Sequence, residues 1–330
     1  MTTRRTSERG AALLTVMMIV AAMSVAAVAV TQAVTQSTVR SRALDAQAQL
    51  AFYAASAEEV AKARLTEVLS PLESKLVLGM PGLGEPQFIP IDNGAIAVTV
   101  RDSTNCFNVN QLTVLGEGGG LVADPPKVEA YTTLLNSLIE EGFSSDMVAL
   151  SSSLVDWMDD DNVPRNGGAE DSFYSSETPS YRTSGQKLAS LDELRSIRGY
   201  TTEIFARVRP VLCALPNDAP DQVLNINTLE IHHAPLLQQV FTEALSVEDA
   251  RELIASRPKT GWTAIEDLTQ DPLVKNIDPT LVRADRLGLV TSLVEVSTNV
   301  SYRGSDMTML YLFEAKPGRP IRTLRRERIG

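Results

Sequence analysis

The sequence predicts an α+β protein in which a long N-terminal helix packs on a small antiparallel sheet, with a large helical domain inserted between the strands. Three observations support this fold class. Residues 11–70 form one uninterrupted helical pattern, strand-like segments lie before residue 104 and after residue 285, and the residues between those limits are mostly helical in pattern. The inserted domain is therefore predicted to span residues 104–285.

The long helix begins with an apolar run. Only Thr15 and Ser24 are polar among residues 11 to 30, and at ~1.5 Å per residue this run spans ~30 Å, the thickness of a bilayer's hydrocarbon core. A secretory signal peptide has a shorter apolar core of ~7–15 residues, whereas this pattern continues without Pro or Gly to Ser70. We therefore predict a transmembrane segment at residues 11–33. Arginines precede it, so the rest of the chain is expected on the non-cytoplasmic side.

Strands are predicted on both sides of the insertion. Four segments have strand-like patterns: 95–102, 293–302, 308–314 and 321–324. The second and third are expected to pair antiparallel around a turn at Gly304. The segment 71–94 is rich in Pro and Gly and is interpreted as a connector that leaves the helix. The sheet domain is thus predicted from two pieces, residues 71–103 and 286–330.

The predicted insertion contains an internal repeat. The pattern at residues 107–112 recurs at residues 224–229, and each Asn-x-Asn copy is followed by an apolar helix and a helical hairpin. Two SAM-like or helix-hairpin-helix units are therefore predicted. Such units bind DNA through glycine-rich turns, but the turns here are acidic and the chain has a net charge of −11. Nucleic acid is consequently not expected as a partner.

The stretch 156–171 contains six carboxylates, opposed only by Arg165. Hard cations such as Ca²⁺ take six to eight oxygen ligands from a flexible loop. Counted from Asp159, an EF-hand is excluded, because Val163 and Pro164 stand where that loop needs an oxygen ligand and a glycine. A different calcium loop and a solvated acidic loop are equally compatible with this composition.

The chain has two cysteines, Cys106 and Cys213. In an oxidising exported compartment they could form one disulfide. That bond would contribute ~4–5 kcal/mol in the chain-entropy model, because the loop that it closes is long. The alternative is a pair of buried free thiols.

The sequence does not indicate catalysis. His232 and His233 are the two histidines of the chain and, as neighbours on a helix, are expected to point in different directions. No nucleophile motif surrounds them, and the glycine-rich residues 116–120 lack the Lys and the strand–helix context of a phosphate loop. We therefore predict a protein that is not an enzyme, with both histidines at the surface or at a helix start.

The N-terminus resembles the type IV pilin-like precursors. A short basic leader, Gly10, Ala11 and the apolar run Leu-Leu-Thr-Val-Met-Met-Ile-Val carry this resemblance. It implies that residues 1–10 are removed by a prepilin peptidase and that Ala11 becomes an N-methylated first residue. Most such proteins have Glu at the fifth mature position, where this chain has Thr15. That departure resembles the K-type minor pseudopilins of bacterial type II secretion.

The acidic stretch resembles the calcium-binding insertion loop of the same K-type family. The matching motifs are Trp-Met-Asp-Asp-Asp at 157–161, Gly-Ala-Glu-Asp at 168–171, Tyr-Arg at 181–182 and Ser-Leu-Asp-Glu-Leu at 190–194. The resemblance implies a calcium loop at residues 156–192, and it assigns the ligands Asp159, Asp161, Glu170 and Asp171. The sequence departs from the family at residues 183–186.

Together, these features predict a minor pseudopilin of the type II secretion system that caps the periplasmic pseudopilus. The resemblance implies an inner-membrane protein with one span, a periplasmic C-terminal part and two partners, the minor pseudopilins of the I and J types. Thr15 supports the tip position, because a buried carboxylate would otherwise pair with the N-terminal amine of the subunit above. The alternative is an anchored periplasmic module that binds exported substrates.

Overall fold

The structure is a computed structural model that describes residues 5–69, 75–139, 146–216, 223–242, 244–316 and 318–329, without the side chains of residues 5–11 and 68. The helices are α1 Arg5–Leu69, α2 Pro125–Leu138, α3 Met147–Met158, α4 Asp171–Tyr174, α5 Thr202–Val208, α6 Ala234–Val240, α7 Val247–Ala255 and α8 Ile265–Thr269. The strands are β1 Gln87–Ile91, β2 Gly94–Asp102, β3 Phe107–Asn108, β4 Thr113–Leu115, β5 Leu121–Ala123, β6 Leu212–Cys213, β7 Leu224–Asn225, β8 Leu287–Gly288, β9 Leu293–Tyr302, β10 Ser305–Glu314 and β11 Arg322–Ile329.

Helix α1 is one continuous element of 65 residues, and its N-terminal part is long and apolar enough to cross a membrane. The side chains of residues 12–45 are exposed in the isolated chain. The polar residues of the apolar run bond to their own helix: Ser24 donates its hydroxyl to the Val20 carbonyl at 2.8 Å, and Thr15 donates to the Ala12 carbonyl at 3.0 Å. These internal bonds satisfy the hydroxyls without water, as a lipid environment requires.

The upper half of α1 packs on the sheet through a narrow apolar stripe. Its buried residues recur every three or four positions: Ala46, Leu50, Ala54, Ala57, Ala61 and Leu65. Because four of these six are alanines, the helix and the sheet approach closely, and Tyr311 of β10 donates its hydroxyl to the Ala54 carbonyl at 2.8 Å. The predicted long helix on an antiparallel sheet is confirmed.

An ion pair joins α1 to the last strand. Glu58 is buried and accepts hydrogen bonds from Arg326 at 2.6 and 2.9 Å and from Thr323 at 2.8 Å. Burial by itself raises the pKa of Glu58, but the bonds from Arg326, Lys62 and Thr323 outweigh it and lower the pKa to about 2. The carboxylate therefore stays charged and holds β11 against the helix.

The main sheet has five antiparallel strands in the order β1-β2-β9-β10-β11. Strands β9 and β10 are joined by the two residues Arg303 and Gly304, which both have positive φ, as a tight hairpin turn requires. Strand β2 pairs with β9, so residues 94–102 and 293–302 meet although almost two hundred residues separate them. The sheet is built from both sides of the insertion.

The strand β1 was not predicted, because residues 71–94 were interpreted as a connector. Two features hid it. Pro90 is the fourth of its five residues, which is tolerated at a sheet edge, where one side of the strand needs no N–H donor. Phe88 and Ile89 are exposed, so the strand lacks the buried alternation that marks a half-buried strand. At the other edge, the strand predicted at 321–324 extends further, to Ile329.

Two helical units follow β2, and each is closed by a short parallel strand pair. In the first unit β3 pairs with β6, and in the second unit β7 pairs with β8. The first unit thus runs from Phe107 to Cys213 and the second from Leu224 to Gly288. The main sheet resumes at Leu293, where the predicted strand 293–302 begins. Because β8 belongs to the second unit, the domain boundary predicted at residue 286 lies before the end of that unit. One apolar core runs through both units.

Buried asparagines hold each unit. Asn110 bonds both backbone groups of Leu188, at 2.8 Å for each bond, and it also donates to the Leu215 carbonyl at 3.0 Å. In the second unit, Asn227 bonds both backbone groups of Trp262, at 2.7 and 2.9 Å. The repeated Asn-x-Asn pattern therefore has one structural meaning in both places: its second asparagine satisfies the backbone of a distant loop.

Candidate metal site

Helix α3 positions the acidic stretch. Its N-terminus is capped by Asp146, and the helix is buried over most of its length because apolar and small residues cover it on every side. It ends at Met158, so Asp156 lies in its last turn and Asp159 is its C-cap. The chain then turns back along the unit toward α4, which begins at Asp171. Both acidic segments consequently face each other.

Three carboxylates meet between these two segments. Asp159, Asp161 and Glu170 each offer one oxygen, and these oxygens all lie within 4.8 Å of one another. Asp159 and Glu170 are each only 2% exposed, whereas Asp161 is on the surface. The structure therefore brings together three of the four ligands that the sequence resemblance assigned, in a site with one open side.

The buried oxygens of this cluster lack partners. Among the described residues, neither oxygen of Glu170 has a hydrogen-bond partner. Asp159 has a partner for Oδ2 but none for Oδ1. Burial and the neighbouring aspartates raise the pKa of Glu170 to about 7, and burial is also the main cause that raises the pKa of Asp159 to about 6. A cation at this point would satisfy the unpaired oxygens and remove the repulsion. The donor set, oxygen only, suits a hard cation such as Ca²⁺ or Mg²⁺.

Arg165 neutralises the other side of the cluster. It donates to the Asp156 carboxylate from its side chain at 2.9 Å and from its backbone at 3.1 Å, and it also bonds Asp159 Oδ2. Gly168 allows this arrangement, because a Cβ there would lie 2.0 Å from Asp156 Oδ2. The arginine therefore pairs with Asp156 and with one oxygen of Asp159, and Asp159 Oδ1 is left without a hydrogen-bond partner among the described residues.

The fourth assigned ligand, Asp171, has a different position. Its Oδ1 accepts hydrogen bonds from the backbone and the hydroxyl of Thr183, both at 2.9 Å. Thr183 begins the segment where the sequence departs from the family, and no pattern in the sequence indicated its role. Asp171 thus fixes the segment that begins at Thr183, and the structure does not place it with the other three carboxylates.

An aromatic wall supports the loop. Tyr174 is fully buried, and its ring lies 5.2 Å from the rings of both Trp157 and Tyr181, measured between centroids. Tyr181 donates its hydroxyl to the Ser196 carbonyl at 2.9 Å. These contacts fix the backbone on either side of the acidic residues, so the cluster stands on a rigid support.

The other predicted sites lie elsewhere. Cys106 and Cys213 form a disulfide at the strand pair that closes the first unit. Gly10 and Ala11 lie within α1, and the described part of the helix begins before them, at Arg5. The side chain of Ala11 is outside the described part of the chain.

The two histidines differ from the expectation in the directions of their rings. Their rings face each other, with centroids 4.0 Å apart, because residues 231–233 form a tight 3₁₀ turn rather than an α-helix. His232 is exposed and His233 is the N-cap of α6, so the expected surface and helix-start positions are confirmed. His233 is buried, and its Nδ1 accepts a hydrogen bond from the Glu230 backbone N–H at 2.9 Å. Burial and the neighbouring His232 lower the pKa of His233 to about 3. His233 therefore caps a turn as a neutral ring.

Comparisons with known proteins agree on one family. Two family models, both described as type II secretion system (T2SS), protein K, match residues 105–217 and 224–289. The chain is 33% identical to the type II secretion system protein K of Pectobacterium carotovorum subsp. carotovorum, over 82% of this chain and 81% of the relative. It is 33% identical to that of Aeromonas hydrophila, over 79% and 80%.

A solved structure is also similar over most of its length. It is a chain of the crystal structure of the GspK-GspI-GspJ complex from the type 2 secretion system of enterotoxigenic Escherichia coli. The TM-score is 0.72 at 26% sequence identity, and the match covers 88% of the present chain and 99% of the other.

Proposed function

Because this chain belongs to the type II secretion system protein K family and is a minor pseudopilin of that system, we propose that it caps the tip of the periplasmic pseudopilus. The observation that carries the proposal is the size of the head. Two helical units are inserted between β2 and β9, beside a sheet that already packs on α1. A subunit stacked directly above would have to occupy the space that these units fill.

The membrane part of α1 supports the same position. Thr15 bonds to its own helix through the Ala12 carbonyl, so it presents a satisfied hydroxyl in place of the carboxylate that most pilin-like subunits carry. A carboxylate in lipid is costly unless it is paired. A subunit with Thr15 has no need of an amine from a subunit above it, which fits the end of a fibre.

The partners proposed for this subunit are minor pseudopilins of the I and J types. The similar solved structure is a complex of GspK with GspI and GspJ. We place the present chain above such partners, with α1 packed against their helices. The alanines at positions 21, 22, 26, 27 and 29 are exposed in the described chain and allow close helix approach in lipid.

Processing, location and the lack of catalysis complete the proposal. We propose cleavage after Gly10, methylation of Ala11, and anchoring of the mature chain in the inner membrane with the head in the periplasm. Mass spectrometry of the membrane form should find methylated Ala11 as the N-terminus, and an intact Met1 would contradict it. The family is a structural component of secretion, and we propose that this member likewise has no catalytic role.

The tip position is tested by Thr15→Glu together with site-specific crosslinking from the head. If the bulk of the head sets the position, the variant should still support secretion, with at most a modest loss from an unpaired carboxylate in lipid. Thr15→Ser serves as the matched control, because it keeps the hydroxyl. Crosslinks from the head should reach only the minor subunits. Regular crosslinks to the major subunit along the fibre would refute the tip position.

We also propose that the carboxylate cluster of the first unit binds Ca²⁺. Asp159, Asp161 and Glu170 would hold the ion, which would supply the positive charge that their unpaired oxygens lack. Backbone carbonyls of the loop and water would complete six to eight ligands. Mg²⁺ fits less well, since it demands near-octahedral geometry at short distances, whereas Ca²⁺ accepts a wider range of oxygen arrangements.

Thermal unfolding of the full chain in detergent tests the calcium site. Calcium at a hundredfold excess over Kd should stabilise the protein by about 2.7 kcal/mol, and magnesium should have a smaller effect. Asp161→Ala combined with Glu170→Ala should abolish the gain. Glu129→Ala combined with Glu266→Ala removes the same charge from exposed positions and should keep it. Identical melting in calcium and in chelator would show that the cluster is not a calcium site.

A further inference from the structure

A glycine-rich hairpin lies beside the carboxylate cluster, and the predicted function does not use it. It consists of β4, β5 and the turn at residues 116–120. Leu115 is 76% exposed, and Val114 and Val122, which pair across the two strands, are also exposed. Two isolated strands are marginally stable in water. The order of this hairpin must therefore depend on its few contacts with the rest of the unit.

One residue of the acidic loop makes such a contact. Asp160 Oδ2 accepts a hydrogen bond from the Leu121 backbone N–H at 3.0 Å, and the Asp160 N–H donates to the Leu121 carbonyl at 3.2 Å. Gly120 permits this approach, because a Cβ at that position would lie 2.4 Å from Asp160 Oδ2. Asp160 thus satisfies both backbone groups of Leu121 in β5, as a paired strand residue would, but with its carboxylate in the place of a backbone carbonyl.

Asp160 also lies between two of the clustered carboxylates. Its neighbours Asp159 and Asp161 both offer oxygens to the cluster, while its own side chain is turned to the hairpin. Without a cation, the charges of Asp159, Asp161 and Glu170 repel one another at short range. With a cation, the backbone on both sides of Asp160 would be fixed, and the two bonds to Leu121 would be fixed with it.

We infer that occupancy of the carboxylate cluster controls the order of the glycine-rich hairpin through Asp160. This inference rests on the calcium site proposed above. Asp160 is a positioning residue, not a ligand. Its two bonds to Leu121 link the backbone of the metal site to the exposed apolar hairpin. The second unit has no counterpart, since its first strand β7 leads to the 3₁₀ turn at residues 231–233 without a described hairpin.

Hydrogen exchange of the full chain in detergent tests the coupling, with calcium or with a chelator. In the unmodified protein, calcium should slow exchange in peptides covering residues 113–123 by about tenfold or more, since local opening then has to break the bonds to Asp160. Asp160→Ala should remove this protection while the calcium-induced rise in Tm remains. Asp160→Asn keeps an oxygen acceptor for the Leu121 N–H and should retain most of the protection. Glu117→Ala, in the turn of the hairpin, is the control and should behave as the unmodified protein.

The outcomes separate the coupling from the metal site. If calcium raises Tm but leaves exchange in the hairpin unchanged, the coupling is wrong and the calcium site stands. If Asp160→Ala also loses the rise in Tm, Asp160 is itself a ligand and the relay is wrong. If the unmodified protein gains no stability from calcium, both the site and the coupling fall.

Discussion

The two helical units share an Asn-x-Asn segment and a closing pair of short parallel strands, but the two strand pairs are held together in different ways. In both, a short strand that ends at the first asparagine of the Asn-x-Asn segment pairs in parallel with the last strand of the unit. In the first unit the disulfide between Cys106 and Cys213 lies at this closure. In the second, the equivalent positions are Val223 and Gly288, and the Val223 side chain packs so close to Gly288 that a Cβ there would lie only 2.8 Å from Val223 Cγ1. A covalent bond thus stands where the other unit has an apolar contact.

The difference follows from the loops that each unit contains between its first and last strands. The first unit carries the acidic loop, with six carboxylates in residues 156–171, and the glycine-rich hairpin, whose Val114, Leu115 and Val122 are exposed. The second unit is shorter and its helices α6 and α7 pack directly on each other. A unit with long polar loops buries less apolar area per residue. It therefore gains more stability from a crosslink that restricts its unfolded state. We therefore interpret the disulfide and the proposed cation as compensation for the loops.

Loss of the disulfide should have the largest effect and should fall mainly on the first unit. Cys106→Ser combined with Cys213→Ser removes a bond that closes a loop of 107 residues, worth about 5 kcal/mol in the chain-entropy model. The urea midpoint of the full chain should fall accordingly, and amide exchange should increase around Asn110 more than around Asn227. Equal increases in both units would mean that their common core makes them one cooperative body.

The long helix and the main sheet were largely predictable from the sequence, because they depend on hydrophobic periodicity and on turn residues. The helix from residue 11 onward and the strands on both sides of Gly304 follow patterns that few other folds produce. The edge strand β1 was missed because exposed apolar residues and Pro90 carry no buried alternation. The repeat was visible as Asn-x-Asn, but its meaning, two bonds to one distant residue, depends on tertiary contacts.

The candidate site was predictable only in part. Composition alone left a calcium loop and a solvated loop open, and the family resemblance assigned the four ligands. Sequence could not show that Asp159 and Glu170 are buried with unpaired oxygens, because burial depends on tertiary packing. It also gave no sign that Asp171 bonds Thr183 instead. Calcium binding itself remains a prediction.

Substitution of the buried asparagines should lower the stability of both units, by less than loss of the disulfide and more in the first unit than in the second. Asn110→Ala removes three bonds to buried backbone groups, and Asn227→Ala removes two. Since each buried group left unpaired costs about 1–3 kcal/mol, we expect losses of about 4 and about 3 kcal/mol, respectively, in the free energy of unfolding. Asn299→Ala, which removes one exposed bond to Thr308, should cost less than about 0.5 kcal/mol. A larger loss at Asn227 than at Asn110 would reverse the ranking.

The smallest and sharpest test makes the two closures alike by adding a disulfide to the second unit. A Cβ built on Gly288 lies 4.0 Å from the Val223 Cβ, within the ~3.5–4.5 Å that a disulfide needs. Val223 Cγ1 would crowd the new Cβ at 2.8 Å, and cysteine has a single γ-atom in place of the two γ-carbons of valine. Val223→Cys combined with Gly288→Cys should therefore oxidise spontaneously on export.

The gain should be modest. Closing a loop of roughly 65 residues is worth at most about 4 kcal/mol, and engineered disulfides usually give less, so we expect about 2 kcal/mol. Each single cysteine variant is the control and should gain nothing. Thiol labelling of the unfolded double variant decides the matter. If both thiols remain reactive in the exported protein, the strand ends of the two units are not equivalent, and the disulfide of the first unit reflects a geometry that the second does not share.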